Sequence, residues 1–188
     1  FDHWLGESSY HKRLPGVVED LLEAGLARES DGAVCVFSDN SVDPGKDPFR
    51  IQKEGRWEDK PMIVRKSDGG FNYATTDIAT IDYRVEELQA DCAWYVVDHR
   101  QGDHFKQLFA VAARRGREIQ LEHISFGTIL GKDGKPLKTR AGDLPLLSDL
   151  LDDAIQVARE SSEGRSRVED EGERKALAEL IGISAVKF

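Results

Sequence analysis

Tyr73 and Asp77 stand four residues apart in "GGFNYATTDIATIDYRVEEL", residues 69–88. An aspartate in the first turn of a helix commonly caps it or answers its dipole. A carboxylate at the carboxyl end of a strand can instead grip a cation. A guanidinium suits it, because its planar fork offers two N–H groups to two carboxylate oxygens. Tyr73 would wall such a site and add a hydroxyl. A second polar stretch, "VVDHRQGDHF" (96–105), puts Gln101 and His104 at the mouth of a further helix. They suit a polar small molecule, or an ordinary capped loop. Asp98, His99, Asp103 and His104 match no standard ligand spacing, so no metal site is expected. A third stretch, "GKDGKPLKTRAGD" (131–143), crowds Lys132, Lys135, Lys138 and Arg140 into a glycine-flanked loop. Cations over a phosphate-sized site are what phosphoryl or nucleotidyl transfer needs, since charge develops on the phosphate oxygens. A solvated hairpin with surface lysines has the same composition. The loop is not a P-loop, because GxxxxGK[ST] is absent.

The elements that must position these residues follow from periodicity. "LPGVVEDLLEAGLARE" (14–29) reads as a helix with Pro15 in its first turn, and "AVCVF" (33–37) as a short strand. Residues 38–61 are rich in Gly, Pro, Asp and Lys and read as a long loop or insertion. "MIVRK" (62–66) is the next strand, followed by a helix from about Asp77 to Leu88 with Ile78, Ile81, Val85 and Leu88 on one face. "CAWYVVD" (92–98) is a near-continuous apolar run, as expected of a strand buried on both faces. A helix over 103–116 with Gly116 as its stop and a strand or strand pair over 119–130 come next. "PLLSDLLDDAIQVARESS" and "GERKALAELIGI" read as two further helices.

The alternation of strand and helix predicts an α/β fold with a parallel sheet and crossover helices. In such sheets ligands bind at the carboxyl ends of the strands. The three polar stretches above are the segments that follow the three strands.

The composition bounds the rest. The chain has 188 residues, 39% hydrophobic and 32% charged, which suits a globular domain with a core of its own. No apolar run approaches the roughly 20 residues that span a bilayer, and no signal-peptide core is present at the start. The chain does not begin with Met, as a piece of a longer protein would not. Cys35 and Cys92 form no CxxC and read as buried free thiols of a cytoplasmic protein. A net charge of −9 argues against a domain that grips nucleic acid across its whole face. Local basic patches remain compatible with it.

Taken in order, the motifs resemble bacterial-type arginyl-tRNA synthetase, a class I family. The resemblance runs through "FDHWLGESSY", "LPGVVEDLLEAGLA", "KSDGGFNYATTDIATIDYRVEELQAD", "YVVDHRQGDHF", "LEHISFGTILGKDGKPLKTRAGD", "LLDDAIQVA" and "IGISAVKF". It implies a Rossmann-type catalytic domain that activates L-arginine with ATP and Mg²⁺ and passes it to tRNA. It implies that Tyr73 and Asp77 meet the arginine side chain and that Gln101 lies near the amino acid's main-chain end. His104 and Gln107 follow at the same mouth as weaker candidates for the nucleotide side. Residues 131–143 stand where class I synthetases carry the KMSKS loop, with Lys135, Lys138, Thr139, Arg140 and Gly142 as its equivalents. Thr139 takes the place of the second lysine, so the catalytic cation is open among Lys135, Lys138 and Arg140.

The HIGH tetrapeptide of class I is absent from the 188 residues. So are the family's N-terminal tRNA-binding domain and its anticodon-binding domain. The resemblance therefore implies the second half of a catalytic domain over 1–143, and a helical connective region over 144–188. It also implies a chain that is inactive alone, and one that self-associates through an apolar sheet edge left open. Two rivals stand beside it: a non-catalytic, synthetase-like module that binds arginine or docks a partner, and a different nucleotidyl-transferring α/β enzyme.

Overall fold

Pro15 lies in the first turn of α1 (Leu14–Glu23), where its missing N–H costs nothing. In the computed structural model, which describes residues 2–127, 146–162 and 168–187, a 3-10 turn over Glu7–Arg13 leads into this helix. Helix α1 is shorter than its periodicity predicts. Gly25 adopts φ +68°, Leu26 N–H reaches back to Leu21 O at 2.9 Å, and Gly25 N–H bonds Leu22 O at 3.0 Å. That paired closure ends the helix, and only glycine enters the left-handed region without strain. The residues beyond it form strand β1 (Ala27–Ser30), which pairs with β2 (Ala33–Val36).

The segment 38–61 is not structureless. It holds a hairpin of β3 (Arg50–Lys53) and β4 (Arg56–Asp59). Glu54 and Gly55 both take positive φ between them, the conformation of a tight two-residue hairpin turn. Phe49, just before β3, is fully buried and anchors the excursion to the core. Asp47 accepts its N–H at 2.9 Å.

The expected three-stranded parallel sheet is corrected. Strand β5 (Met62–Arg65) pairs antiparallel with β2, giving the order β1-β2-β5, with a register shift between Val34 and Cys35. Cys35 and Val36 of β2, set against Ile63 and Met62, give β5 an apolar partner. The 38–61 excursion, folded on itself through the β3–β4 hairpin, brings the chain back beside β2. Among the described residues the parallel pairing is confined to β6 (Cys92–Asp98) and β7 (Gln120–Phe126), joined through α3 (Gly102–Arg114).

Strand β6 is also corrected, since its residues alternate rather than bury on both faces. Ala93 and Tyr95 pack inward, Tyr95 against Phe105 and Phe109 of α3 at centroid distances of 4.9 and 5.5 Å. Trp94 and Val96 point the other way and remain 66% and 64% exposed. Val96 is in register with Ile124, and Asp98 with Phe126, so the open face continues onto β7. Cys92 is exposed, against the expectation of two buried thiols; Cys35 is buried, and that burial pushes its thiol pKa up.

Helix α2 (Tyr73–Glu86) lies between the two sheets in sequence and supplies Ile78, Ala79 and Ile81 to the core. The Thr75 hydroxyl donates to the Val64 carbonyl and ties α2 to β5. The ends of the unit's helices are joined by charge. Asp82, on α2, accepts from Arg115 Nη1 at 2.7 and 2.8 Å, and Arg117 Nε lies 2.8 Å from it. Arg115 also reaches Asp20 on α1 at 3.4 Å, and Arg117 reaches Glu86 at 2.9 Å.

Contacts divide the chain into two units, Phe1–Thr128 and Ile129–Phe188. The second contains α4 (Leu147–Ser162) and α5 (Glu171–Lys187), the two helices expected there. Gly182 lets them approach closely, because a Cβ at that position would stand 2.6 Å from the backbone of Ile155. Lys135, Lys138, Thr139, Arg140 and Gly142 lie outside the described residues.

Candidate functional site

Asn72 starts α2. Its extended backbone is non-helical and its side-chain oxygen accepts from Ala74 N–H at 3.1 Å. The helix therefore begins at Tyr73, four residues earlier than the sequence suggests. Asp77 falls in the second turn, too far along to act as the cap, so its carboxylate must be explained by what it faces.

It faces α3. Asp77 Oδ2 lies 2.6 Å from His104 Nε2, a charge-assisted hydrogen bond between partly buried side chains. Tyr73 is one turn before Asp77 on the same helix face. Its ring meets the His104 ring edge-on, with centroids 4.7 Å apart and planes at 76°. Tyr73 is otherwise 59% exposed, so its phenol is available to a ligand. Gln101 ends the 3-10 turn His99–Gln101 that delivers the chain into α3, and it is exposed. All four side chains line one cavity of about 990 Å³. The sequence thus names Tyr73, Asp77, Gln101 and His104 as neighbours, and the fold brings them together.

Gln107 lines the same cavity, but its amide is occupied. It donates to the carbonyls of Pro48 and Lys60, at 3.1 and 2.7 Å. That ties the hairpin excursion to α3. At the rim Lys60 pairs with Asp103 at 2.6 Å, which holds the Asp103 carboxyl below its usual pKa. Asp98 accepts the Arg100 guanidinium twice at 2.9 Å and its backbone N–H at 2.8 Å, and these bonds hold its pKa far down. Among the described residues no cluster of three His, Cys, Asp or Glu side chains could hold a metal ion.

Sequence reasoning missed the inner wall. Thr80 and Arg84 continue the stripe of Tyr73 and Asp77 along α2 and line the cavity. The recurrence 73, 77, 80, 84 was the available signal. Arg84 lies over the Tyr95 ring, 5.0 Å from its centroid, and Arg84 Nη1 and the Tyr95 hydroxyl are buried with no hydrogen-bond partner among the described residues. Burial pushes the Tyr95 pKa up to about 12, although the Arg84 charge opposes it. A tyrosine ordinarily ionises at about 10. The raised value means that Tyr95 favours the folded state below about 10, and that this contribution is lost as the pH climbs toward 12. Absorbance titration of the native chain is expected to show one of its four tyrosines ionising late, and Tyr95→Phe to remove that step. A late step that persists in the variant would assign it elsewhere.

The arrangement offers the Asp77 carboxylate, set by a histidine and flanked by a phenol and an amide, in a cavity that Glu7 and Asp103 also line. Comparisons with known proteins give the family. The family of class I tRNA synthetases (R), catalytic domain, matches residues 1–188. Arginine–tRNA ligase of Rhodopirellula baltica is 46% identical over 195 residues, covering 100% of this chain and 26% of the relative. The same ligase of Idiomarina loihiensis is 45% identical over 190 residues, covering 100% and 31%. The crystal structure of arginyl-tRNA synthetase from Plasmodium falciparum superposes with a TM-score of 0.69 at 26% identity, over 98% of this chain and 28% of that one. The fold is that of a class I tRNA synthetase catalytic domain. Within that class, the chain belongs to the arginyl-tRNA synthetase family. It spans about a quarter to a third of the length of the curated relatives it matches.

Proposed function

We propose that this chain is the arginine-recognising portion of a ligase that joins L-arginine to tRNA. The observation that carries the reading is the Asp77 carboxylate, fixed at 2.6 Å by His104 beside Tyr73 inside the cavity. A guanidinium entering there meets a carboxylate and a phenol, and Gln101 stands near the amino acid's main-chain end. Lys135, Lys138, Thr139, Arg140 and Gly142 belong, on this reading, to the loop that closes over the phosphates of ATP.

The chemistry asks for no side-chain nucleophile. The arginine carboxylate attacks the α-phosphate of ATP, pyrophosphate leaves, and the arginyl group passes from the adenylate to the 3′ end of tRNA. Mg²⁺ enters with ATP as part of the substrate. The protein's contribution is orientation and the stabilisation of developing charge. The partial Rossmann-type fold, of which β6–α3–β7 is the parallel unit, holds the amino acid at the carboxyl end of its strands. The full protein works in the cytoplasm.

Activation needs both class I signature elements together, and the 188 residues contain no HIGH tetrapeptide. The chain by itself is therefore expected to show no arginine-dependent ATP–pyrophosphate exchange; measurable exchange would contradict this. Calorimetric titration tests the recognition itself. L-arginine should bind and L-citrulline, its uncharged isostere, should not; equal affinity for both would remove the carboxylate from the account. The open face of β6–β7, with Trp94, Val96, Ile124 and Phe126 exposed, favours self-association. Light scattering that shows a monomer at high concentration would rule that out.

A further inference from the structure

Resting on the reading of the cavity as an arginine site, we infer that His104 is a positioning residue for the amino acid. It acts through Asp77 rather than on the nucleotide. The bond between them is short, at 2.6 Å, and unequal in exposure: the His104 side chain is 10% exposed and Asp77 30%. Both line the cavity, and the carboxylate is the more open of the two. The ring is clamped on two sides, by Tyr73 edge-on at 4.7 Å and by Phe105 at 5.2 Å.

The direction of the bond follows from its partners. An ionised carboxylate only accepts, so His104 Nε2 carries the hydrogen. A carboxylate without a partner turns freely about its terminal torsion, whose preferences are broad. A donor on Oδ2 fixes the carboxylate plane. It also leaves both lone pairs of Oδ1 and one of Oδ2 for an incoming fork of N–H groups.

The choice of residue type carries the selectivity. A lysine or arginine behind Asp77 would cancel its charge and repel a guanidinium. Imidazole is a side chain that can donate this bond without carrying a fixed charge. His104 thus holds the carboxylate in place, and Tyr73, packed on the same ring, shares the alignment.

A histidine that merely tied α2 to α3 would have the same contacts, so the test separates the two roles. L-arginine is titrated into the 188-residue chain, into His104→Phe, which keeps the ring volume without a donor, and into His104→Gln, whose amide can donate to Asp77. Long-range proton–nitrogen spectra of the imidazole and the midpoint of urea unfolding are recorded on the same samples. Loss of a bond to a charged group is expected to weaken arginine binding about tenfold or more in His104→Phe. His104→Gln is expected to restore it to within about threefold, and the His104 ring signals of the parent chain to shift on arginine addition. A His104→Phe variant that stays folded and binds arginine as the parent does would overturn the proposal. So would a folded His104→Gln that binds no better than His104→Phe; if His104→Phe does not fold, His104→Gln against the parent decides. Absence of arginine binding by the parent chain would instead bring down the reading of the cavity, and the positioning role with it.

Discussion

Replacing Asp77 with asparagine is expected to weaken L-arginine binding by about a hundredfold or more. The amide keeps the shape of the side chain and one acceptor, so α2, α3 and the cavity should persist. What goes is the negative charge. A cation left without its partner in a partly desolvated site costs about 3–5 kcal/mol, and each 1.4 kcal/mol is about tenfold in affinity. Citrulline lacks the cation, so its failure to bind should not change, and the gap between the two ligands should narrow. Calorimetry on the chain and on Asp77→Asn measures both. Arginine affinity within about threefold of the parent would mean that the carboxylate serves only the His104 bond.

The second large effect concerns stability. Asp82→Ala is expected to destabilise the unit Phe1–Thr128 by about 3–5 kcal/mol, because it strips the buried Arg115 charge of its close partner. The Asp82 and Arg115 side chains are each 7% exposed, so water cannot take over from the missing carboxylate. Arg117 keeps its bond to Glu86, and Arg115 keeps only the longer, exposed contact to Asp20 at 3.4 Å. Urea unfolding followed by tryptophan fluorescence reads the change. A loss below about 1 kcal/mol would place the pair among surface ion pairs of little worth.

Asp82 shows what sequence patterning conceals. It lies on the buried side of an amphipathic helix where an apolar residue is expected, and its partners come from 33 and 35 residues downstream. No local rule links them. The same limit explains β5. Its apolar composition identifies it as a strand but not its neighbour, which lies on the far side of the 38–61 excursion. The β3–β4 hairpin was concealed differently, because β4 buries nothing and Arg50 and Lys53 do not read as strand residues. Its turn residues, Glu54 and Gly55, were the readable part.

The candidate site was more legible than the fold around it. Tyr73, Asp77, Gln101 and His104 follow from polar residues after strand-like runs, and the cavity gathers them. The helix starts four residues before Asp77 because Asn72, within "GGFNYATTD", caps it. That start strengthens the functional reading, since an aspartate one turn further in has no capping role. Arg84 and Tyr95 stayed hidden because their burial, not their type, is what makes them unusual.

The central claim is that Asp77 and its neighbours receive the guanidinium of arginine. The most direct measurement is amide NMR of the 188-residue chain during titration with L-arginine, with L-lysine and L-citrulline as controls. The account predicts saturable shifts at Tyr73, Asp77 and Gln101 with arginine, much smaller ones with lysine and none with citrulline. Spectra that stay unchanged with arginine, or that move equally with citrulline, would contradict it.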